Sequence, residues 1–214
     1  TVLRADPILL RWKYEPAYAS WLARLGNPQT KRQSLISAIQ SLAAAGYAPA
    51  TQPVRQILRD NHRDTALRLT AARALVLLTP TGNDRDATEL YQDSASMAER
   101  ILAATLLGQA KGPNAQTLLV RMLKDPESAV VNLALIRMAD LDAELVRPLN
   151  DQLATNADAN VRGTLIIALE RQRSSESIPL LYALLKDSNA HIRVAARQAL
   201  VRLNQQVTLR PVIL

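Results

Sequence analysis

The chain has 214 residues, a net charge of +7 at pH 7 and no cysteine. Without cysteine, disulfides, thiolate catalysis and cysteine-ligated zinc or iron–sulfur sites are excluded. No run of about eighteen apolar residues occurs, so the sequence predicts no membrane-spanning helix. The apolar residues are almost all Leu, Ala, Ile and Val, with two Trp, five Tyr and no Phe. This composition, with apolar positions recurring at i, i+3, i+4 and i+7, predicts an all-α protein.

The first predicted element is an N-terminal segment, residues 1–27, which contains Trp12, Tyr14, Tyr18 and Trp21. We expect a capping helix whose large side chains seal the first repeat, since the terminal repeats of a stack must cover an otherwise exposed core. The alternative is that Trp12 and Trp21 form an aromatic hot spot that contacts a partner protein or a preceding domain. Substitution of Trp21 distinguishes the two interpretations.

The remainder of the chain is dominated by a repeat of about thirty residues. Each repeat has an anchor residue followed by a helix face rich in Ala and Leu, and the anchors are Arg32, Arg68, Arg100, Val131, Arg162 and Arg193. The anchors are separated by 36, 32, 31, 31 and 31 residues. We expect each anchor to begin the second helix of a helical hairpin, because this period is typical of solenoids. The first helices lie upstream, most clearly in Gln116–Leu123 and Ile178–Leu185.

The best-defined repeat contains Leu180, Leu181, Leu184, Leu185, Asp187, Arg193, Ala196 and Leu200, and the counterparts are Leu118, Leu119, Met122, Leu123, Asp125, Ala134 and Met138. This pattern resembles the HEAT repeat family, in the short-period form of the phycobilisome lyase HEAT-like repeats. The resemblance covers about residues 15–203, and the 36-residue spacing near its start suggests an inserted turn. It implies a right-handed α-solenoid of about six HEAT-like helical hairpins. Members of this family mostly bind other proteins.

A continuous repeat predicts a single domain. It would consist of the cap at 1–27, the repeats at 28–203 and an apolar tail at 204–214. We expect the tail either to pack along the last repeat or to continue into a further segment or partner. Because the chain starts at Thr1 and not at methionine, it is either a processed form or part of a longer protein.

The resemblance also implies a role for the recurring arginines. In such repeats a turn aspartate and an anchor arginine form a ladder of ion pairs between neighbouring hairpins. Asp125, Asp187, Arg162 and Arg193 are placed to join this ladder, which should break at Val131. The alternative is a row of arginines that recognises an acidic ligand. We favour the ladder, because a charge that recurs in every repeat usually stabilises stacking.

The chain contains two histidines, His62 and His191, each in the turn before a second helix. Neither has a second histidine at helical spacing with which to form a metal pair. Deoxyhypusine hydroxylase, an enzymatic branch of the HEAT-like family, depends on repeated His-Glu pairs for its di-iron centre. Here His62 is followed by Arg63 and His191 by Ile192, so this branch is not expected.

The densest acidic cluster contains Asn83, Asp84, Asp86 and Glu89. A calcium loop would require more spaced oxygen ligands and an internal glycine, whereas Gly82 precedes the cluster. We expect these residues to cap the following helix. No phosphate-binding glycine loop or nucleophile motif is present. The sequence therefore predicts no catalytic centre, no metal and no cofactor.

The leading hypothesis is a non-catalytic scaffold that binds a protein or peptide on the concave face lined by second helices. Candidate contact residues are those outside the apolar stripe, together with the N-terminal tryptophans: Arg73, Arg137, Arg171, Arg197, Arg202, Trp12 and Trp21.

Two alternatives rest on family resemblance. Some bacterial alkylpurine DNA glycosylases consist of HEAT-like repeats, but they use a continuous basic surface. Residues 51–150 of this chain carry equal numbers of basic and acidic side chains. Binding along a phosphate backbone would need an excess of cations, so nucleic acid is a less favoured partner. The other alternative is a chromophore-lyase-like subunit.

Overall fold

The computed structural model describes the backbone of residues 2–208 and the side chains of residues 6–203. It contains two compact units, residues 1–110 and 111–214, and each is described by itself. The described residues form α-helices and short 3₁₀ turns, without strands. The prediction of an all-α fold is therefore confirmed. The prediction that the chain forms one domain stays a prediction.

The described residues of the first unit form seven α-helices: α1 (Val2–Arg11), α2 (Pro16–Gly26), α3 (Arg32–Ala44), α4 (Thr51–Arg59), α5 (Thr65–Leu78), α6 (Asp84–Leu90) and α7 (Met97–Leu106). In the second unit, residues 111–208 form six: α8 (Pro113–Met122), α9 (Ser128–Leu141), α10 (Asn150–Ala154), α11 (Ala159–Gln172), α12 (Ser177–Leu184) and α13 (Ala190–Thr208). Three 3₁₀ turns connect them, at Ala48–Ala50, Leu107–Gln109 and Ala143–Leu149.

Helices α2 to α13 pair into six antiparallel hairpins, three in each unit. In each hairpin an even-numbered first helix packs on the next, odd-numbered second helix. Second helices also pack on one another, α3 on α5 and α5 on α7 in the first unit, and α9 on α11 and α11 on α13 in the second. The seventh residue of every second helix is buried, and in five of the six it is an alanine: Ala38, Ala71, Ala103, Ala134, Leu165 and Ala196. Small side chains at this position allow neighbouring helices to approach closely.

The register of the first repeat differs from the sequence prediction. Arg68 is the fourth residue of α5, as the later anchors are in their helices, whereas Arg32 is the first residue of α3. The fourth residue of α3 is Leu35, which is buried in the core. Leu35 and Arg68 are 33 residues apart, so the 36-residue spacing does not mark an inserted turn. The buried residue Leu35, and not the basic residue Arg32, therefore occupies the anchor position of the first repeat.

The N-terminal segment forms two helices, α1 and α2, and not the single predicted capping helix. Lys13, between them, has a left-handed backbone conformation with φ of 52°. Pro16 then begins α2, a position where the missing N–H of proline costs no intrahelical hydrogen bond. Both α1 and α2 pack on α3, so α2 is itself the first helix of the first hairpin. Of the C-terminal tail, for which packing or continuation was predicted, residues 204–208 continue α13 and residues 209–214 lie outside the described residues.

Candidate interaction surface

Arg162 forms the ladder contact predicted from the sequence. Its Nε donates to Asp187 Oδ2 at 2.7 Å and its Nη2 donates to Oδ1 at 2.9 Å. Its Nη1 donates to the carbonyl oxygens of Asn156 and Ala157, at the turn before α11. Both charged side chains are largely buried, with 11% and 7% exposure. Hydrogen bonding to Arg162 lowers the pKa of Asp187 below its usual range. Arg162 therefore joins its own hairpin to the next.

The other anchors also have structural roles. Nη1 of Arg193 donates to the carbonyl oxygens of Asp187 and Ser188, just as Arg162 binds its own turn. The Nε of Arg68 donates to the carbonyl oxygen of Leu58 at 2.8 Å, in a buried contact. Val131 has 2% exposure and packs in the core. Arg193 and Arg68 thus bind backbone carbonyls at or near the turn before their own helices, whereas Val131 contributes to the core.

The acidic cluster is neutralised by arginines of the preceding hairpin. Arg55 and Arg59 of α4 donate to opposite oxygens of Asp86, at 2.7 and 2.9 Å. Arg59 also pairs with Glu89, which accepts a further hydrogen bond from Arg85. In the part of the chain with described side chains, no group of three or more His, Asp or Glu residues could hold a metal ion.

Asn83 was expected to cap the helix that follows it, and this prediction is wrong. Its Nδ2 donates to the carbonyl oxygens of Thr79 and Leu75, and its Oδ1 accepts from the Thr79 hydroxyl. The buried Asn83 side chain therefore binds carbonyl oxygens at the C-terminal end of α5. Both histidines are exposed, and His62 lies in the turn before α5 as predicted. His191 was also predicted in a turn, but it is the second residue of α13.

The aromatic residues of the N-terminal segment divide into an inner and an outer pair. Trp21 is fully buried, and its Nε1 donates to Asp6 Oδ1 at 2.8 Å. Tyr18 stacks on Trp21 with ring centroids 5.5 Å apart. By contrast, Trp12 has 73% exposure and Tyr14 has 51%. Trp21 is therefore inaccessible to a partner, which favours the cap for this residue, whereas Trp12 is available for contact.

Asp6 is the polar centre of this cap. In addition to Trp21, its carboxylate accepts hydrogen bonds from Arg24 at 2.7 Å and from the Ser37 hydroxyl at 2.8 Å. Burial opposes ionisation of Asp6, but the hydrogen bonds from Arg24, Ser37 and Trp21 outweigh it and lower the pKa. Asp6 thereby connects α1, α2 and α3.

The lowered pKa values of Asp6 and Asp187 predict acid sensitivity. A carboxyl group whose pKa is lower in the folded state contributes stability above its unfolded pKa of about 4 and loses it as the pH falls through the folded pKa. We expect the urea midpoint to decrease steeply below about pH 4. Asp187→Asn removes one of these groups. We expect this variant to have a lower free energy of unfolding than wild type at pH 7, and to lose less of it than wild type between pH 5 and pH 3. Equal losses in the two proteins would contradict this assignment.

The candidate arginines have different surroundings. Arg171 on α11 pairs with Asp140 on α9, and Arg202 on α13 pairs with Glu170 on α11. Arg137 is half-buried, whereas Arg73 and Arg197 are exposed. In the second unit the structure thus joins Arg171 and Arg202 to carboxylates of the preceding second helix. The positive charges of Arg171 and Arg202 are therefore compensated by carboxylates of this chain.

An exposed apolar pair on the second unit was not identified from the sequence. Ile136 on α9 and Ile167 on α11 are each the ninth residue of their helices, with 46% and 47% exposure. A hydrogen bond from Thr164 to Asn132 lies about one helical turn before the pair. The Arg171–Asp140 contact lies one turn after it. The two isoleucines therefore lie side by side on the second-helix face. Their shared position in consecutive repeats was the available sequence signal.

No described helix is both long enough and apolar enough to cross a lipid bilayer.

Several solved structures are similar to this chain. A designed armadillo repeat protein in complex with the peptide (KR)4 is 19% identical with a TM-score of 0.54, over 86% of this chain and 98% of that one. An engineered protein from the Northeast Structural Genomics Consortium is 19% identical with a TM-score of 0.51, over 95% and 96% of the two chains. Human deoxyhypusine hydroxylase in complex with glycerol is 16% identical with a TM-score of 0.48, over 95% of this chain and 79% of that one.

The first two likenesses show the repeat fold alone. No curated protein matches the sequence. Residues 146–213 match the family model for HEAT repeats, and this region contains the Arg162–Asp187 contact. The match to HEAT repeats therefore covers residues 146–213, and the helical hairpins of both units agree with the repeat fold of the designed armadillo protein.

Proposed function

We propose that this protein is a non-catalytic scaffold that binds a segment of a partner protein on the exposed face of its second helices. The observation that carries the proposal is the exposed pair Ile136 and Ile167 on α9 and α11. Each side chain keeps nearly half of its surface in water, and burial of apolar surface is the main favourable contribution to most protein association. A partner segment would bury both side chains at once.

The surroundings of this pair support binding. The hydrogen bond between Asn132 and Thr164 and the Asp140–Arg171 ion pair connect the helices on either side of the isoleucines. A surface with fixed helices loses little conformational freedom on binding. The exposed ion pair also supplies a polar margin beside an apolar centre, which is the usual arrangement of a protein interface.

The environments of the histidines and of the clustered carboxylates agree with a non-catalytic role. His62 is exposed in a turn, His191 is exposed in the first turn of α13, and Asp86 and Glu89 are paired with arginines. The designed armadillo protein mentioned above was determined with the basic peptide (KR)4. A net charge of +7 makes a basic partner unfavourable for this chain, so its partner should differ in charge from that peptide.

The test is selection of short random peptides displayed on phage against the immobilised protein. We expect enriched peptides to bind Ile167→Asp about tenfold to a hundredfold more weakly than wild type, because the change removes one isoleucine from the buried contact and introduces a charge. Tyr182→Asp is the matched control, because Tyr182 is a similarly exposed apolar residue on the first helix α12. If no enriched peptide bound Ile167→Asp more weakly than Tyr182→Asp, the proposed face would be contradicted.

A further inference from the structure

The first unit contains a half-open cavity of about 150 Å³ between its second helices α3 and α5. The cavity is lined by Gln40, Ala43, Thr70, Arg73, Ala74 and Leu77. Ala43 and Ala74 are buried, whereas Leu77 has 54% exposure. The cavity exists because two small side chains face each other where larger ones would fill the space. Apolar cavities of about this volume accommodate a benzene-sized group, so one aliphatic side chain would fit.

Arg73 is the charged residue of this cavity. Its side chain is exposed, and it has no ion-pair or hydrogen-bond partner among the side chains described between residues 6 and 203. The sequences of α3 and α5 contain no Asp or Glu, so these two helices supply no internal counterion. The second unit differs, because there Arg171 and Arg202 each pair with a carboxylate of the preceding second helix.

This contrast identifies what a ligand would have to supply. A guanidinium presents several N–H donors in a planar fork that matches a carboxylate, and such bidentate pairs are among the stronger polar contacts in proteins. The adjacent cavity wall of Ala43, Ala74 and Leu77 is apolar. An occupant that satisfies both features needs a carboxylate next to an aliphatic group.

We propose that the cavity between α3 and α5 binds an acidic segment of a partner protein in which Asp or Glu lies next to Leu, Ile or Met. The carboxylate pairs with Arg73, and the aliphatic side chain occupies the cavity against Leu77. The inference rests on the proposed scaffold function and adds a chemical class of partner. It also places a second contact on the first unit, separate from the isoleucine pair of the second.

The test uses a phage-displayed library of random short peptides, selected separately on wild type, Arg73→Glu and Arg197→Glu. Arg197→Glu is the matched control, because it makes the same change of net charge at another exposed arginine, on α13 of the second unit. Both changes are at exposed positions, and equal thermal unfolding of the three proteins by circular dichroism will verify folding. Leu77→Asp, also at an exposed position, independently tests the apolar wall.

Wild type and Arg197→Glu are expected to enrich peptides with Asp or Glu beside an aliphatic residue, and Arg73→Glu to enrich Lys or Arg at that position. Wild-type-selected peptides should lose about tenfold or more in affinity for Arg73→Glu, the loss expected for a charged hydrogen bond. They should also bind Leu77→Asp more weakly. If no enriched peptide combined a carboxylate with weaker binding to Arg73→Glu than to Arg197→Glu, this inference would be overturned and the scaffold proposal would stand. No enrichment on any protein would overturn both.

Discussion

Replacing Trp21 by alanine is expected to lower the free energy of unfolding by about 3–5 kcal/mol, the range measured for fully buried Trp or Phe. Trp21 has no exposed surface, stacks on Tyr18 and donates its indole N–H to Asp6. The substitution therefore leaves a cavity and also removes a donor from a buried carboxylate. Urea unfolding followed by circular dichroism measures the loss.

Trp12→Ala is the matched control, because Trp12 lies in the same segment but is 73% exposed. A surface substitution of this kind usually changes stability by about 0.5 kcal/mol or less. Trp21→Phe separates the two causes, since it keeps most of the ring volume but cannot donate to Asp6. A Trp21→Ala protein as stable as Trp12→Ala would show that the N-terminal aromatic residues do not form a structural cap.

Arg162→Ala is expected to cost about 3–5 kcal/mol, as for removal of one partner from a buried ion pair. The cost arises because Asp187 would remain buried without its bidentate donor, and because two carbonyls of the turn would lose the Nη1 contact. Arg171→Ala, which breaks the exposed pair with Asp140, should cost about 0–1 kcal/mol. The free energy of unfolding in urea at pH 7 measures both.

A double substitution gives a stricter test of Arg162. Replacing both partners, as in Arg162→Met with Asp187→Leu, leaves no buried charge and should cost less than Arg162→Ala alone. If the double variant were less stable than wild type by the sum of the costs of Arg162→Met alone and Asp187→Leu alone, the two side chains would not be coupled. Similar losses for Arg162→Ala and Arg171→Ala would also contradict the buried ladder.

The helical hairpins were predictable because a core repeated every 31 to 33 residues imposes a visible period on Ala and Leu. The register of the first repeat was not, because Arg32 imitates an anchor one turn before the equivalent residue, Leu35. Arg32 instead pairs with Asp64 at the start of α5. A search for a basic residue at each anchor therefore selects Arg32, whereas the burial of Leu35 identifies the equivalent position.

Interactions between repeats follow a rule that could have been applied to the sequence. Arg55 and Asp86 are 31 residues apart, as are Arg171 and Asp140. Arg202 and Glu170 are 32 residues apart. Residues one period apart face each other on neighbouring hairpins, so opposite charges at this spacing predict a pair. The acidic cluster around Asp86 and two of the candidate arginines could have been assigned in this way.

The exposed residues were harder to predict. Ile136 and Ile167 are of a residue type that is usually buried, and they are exposed because their positions on α9 and α11 face away from the core. The opposite environments of Trp12 and Trp21 depend on the break at Lys13, whose left-handed backbone has no strong sequence signal. Arg73 was selected correctly as exposed, but its cavity depends on the packing of Ala43 and Ala74 between two helices.

The positions of the two tryptophans also determine what intrinsic fluorescence can report. Trp12 and Trp21 are the only tryptophans of the sequence, and both belong to residues 1–110. Emission from the buried indole of Trp21 therefore follows unfolding of the first unit, while circular dichroism follows the helices of both. Coincidence of the two transitions is the signature of a single cooperative domain, and separate transitions are that of two. The protein thus carries a built-in probe of whether its repeats unfold together.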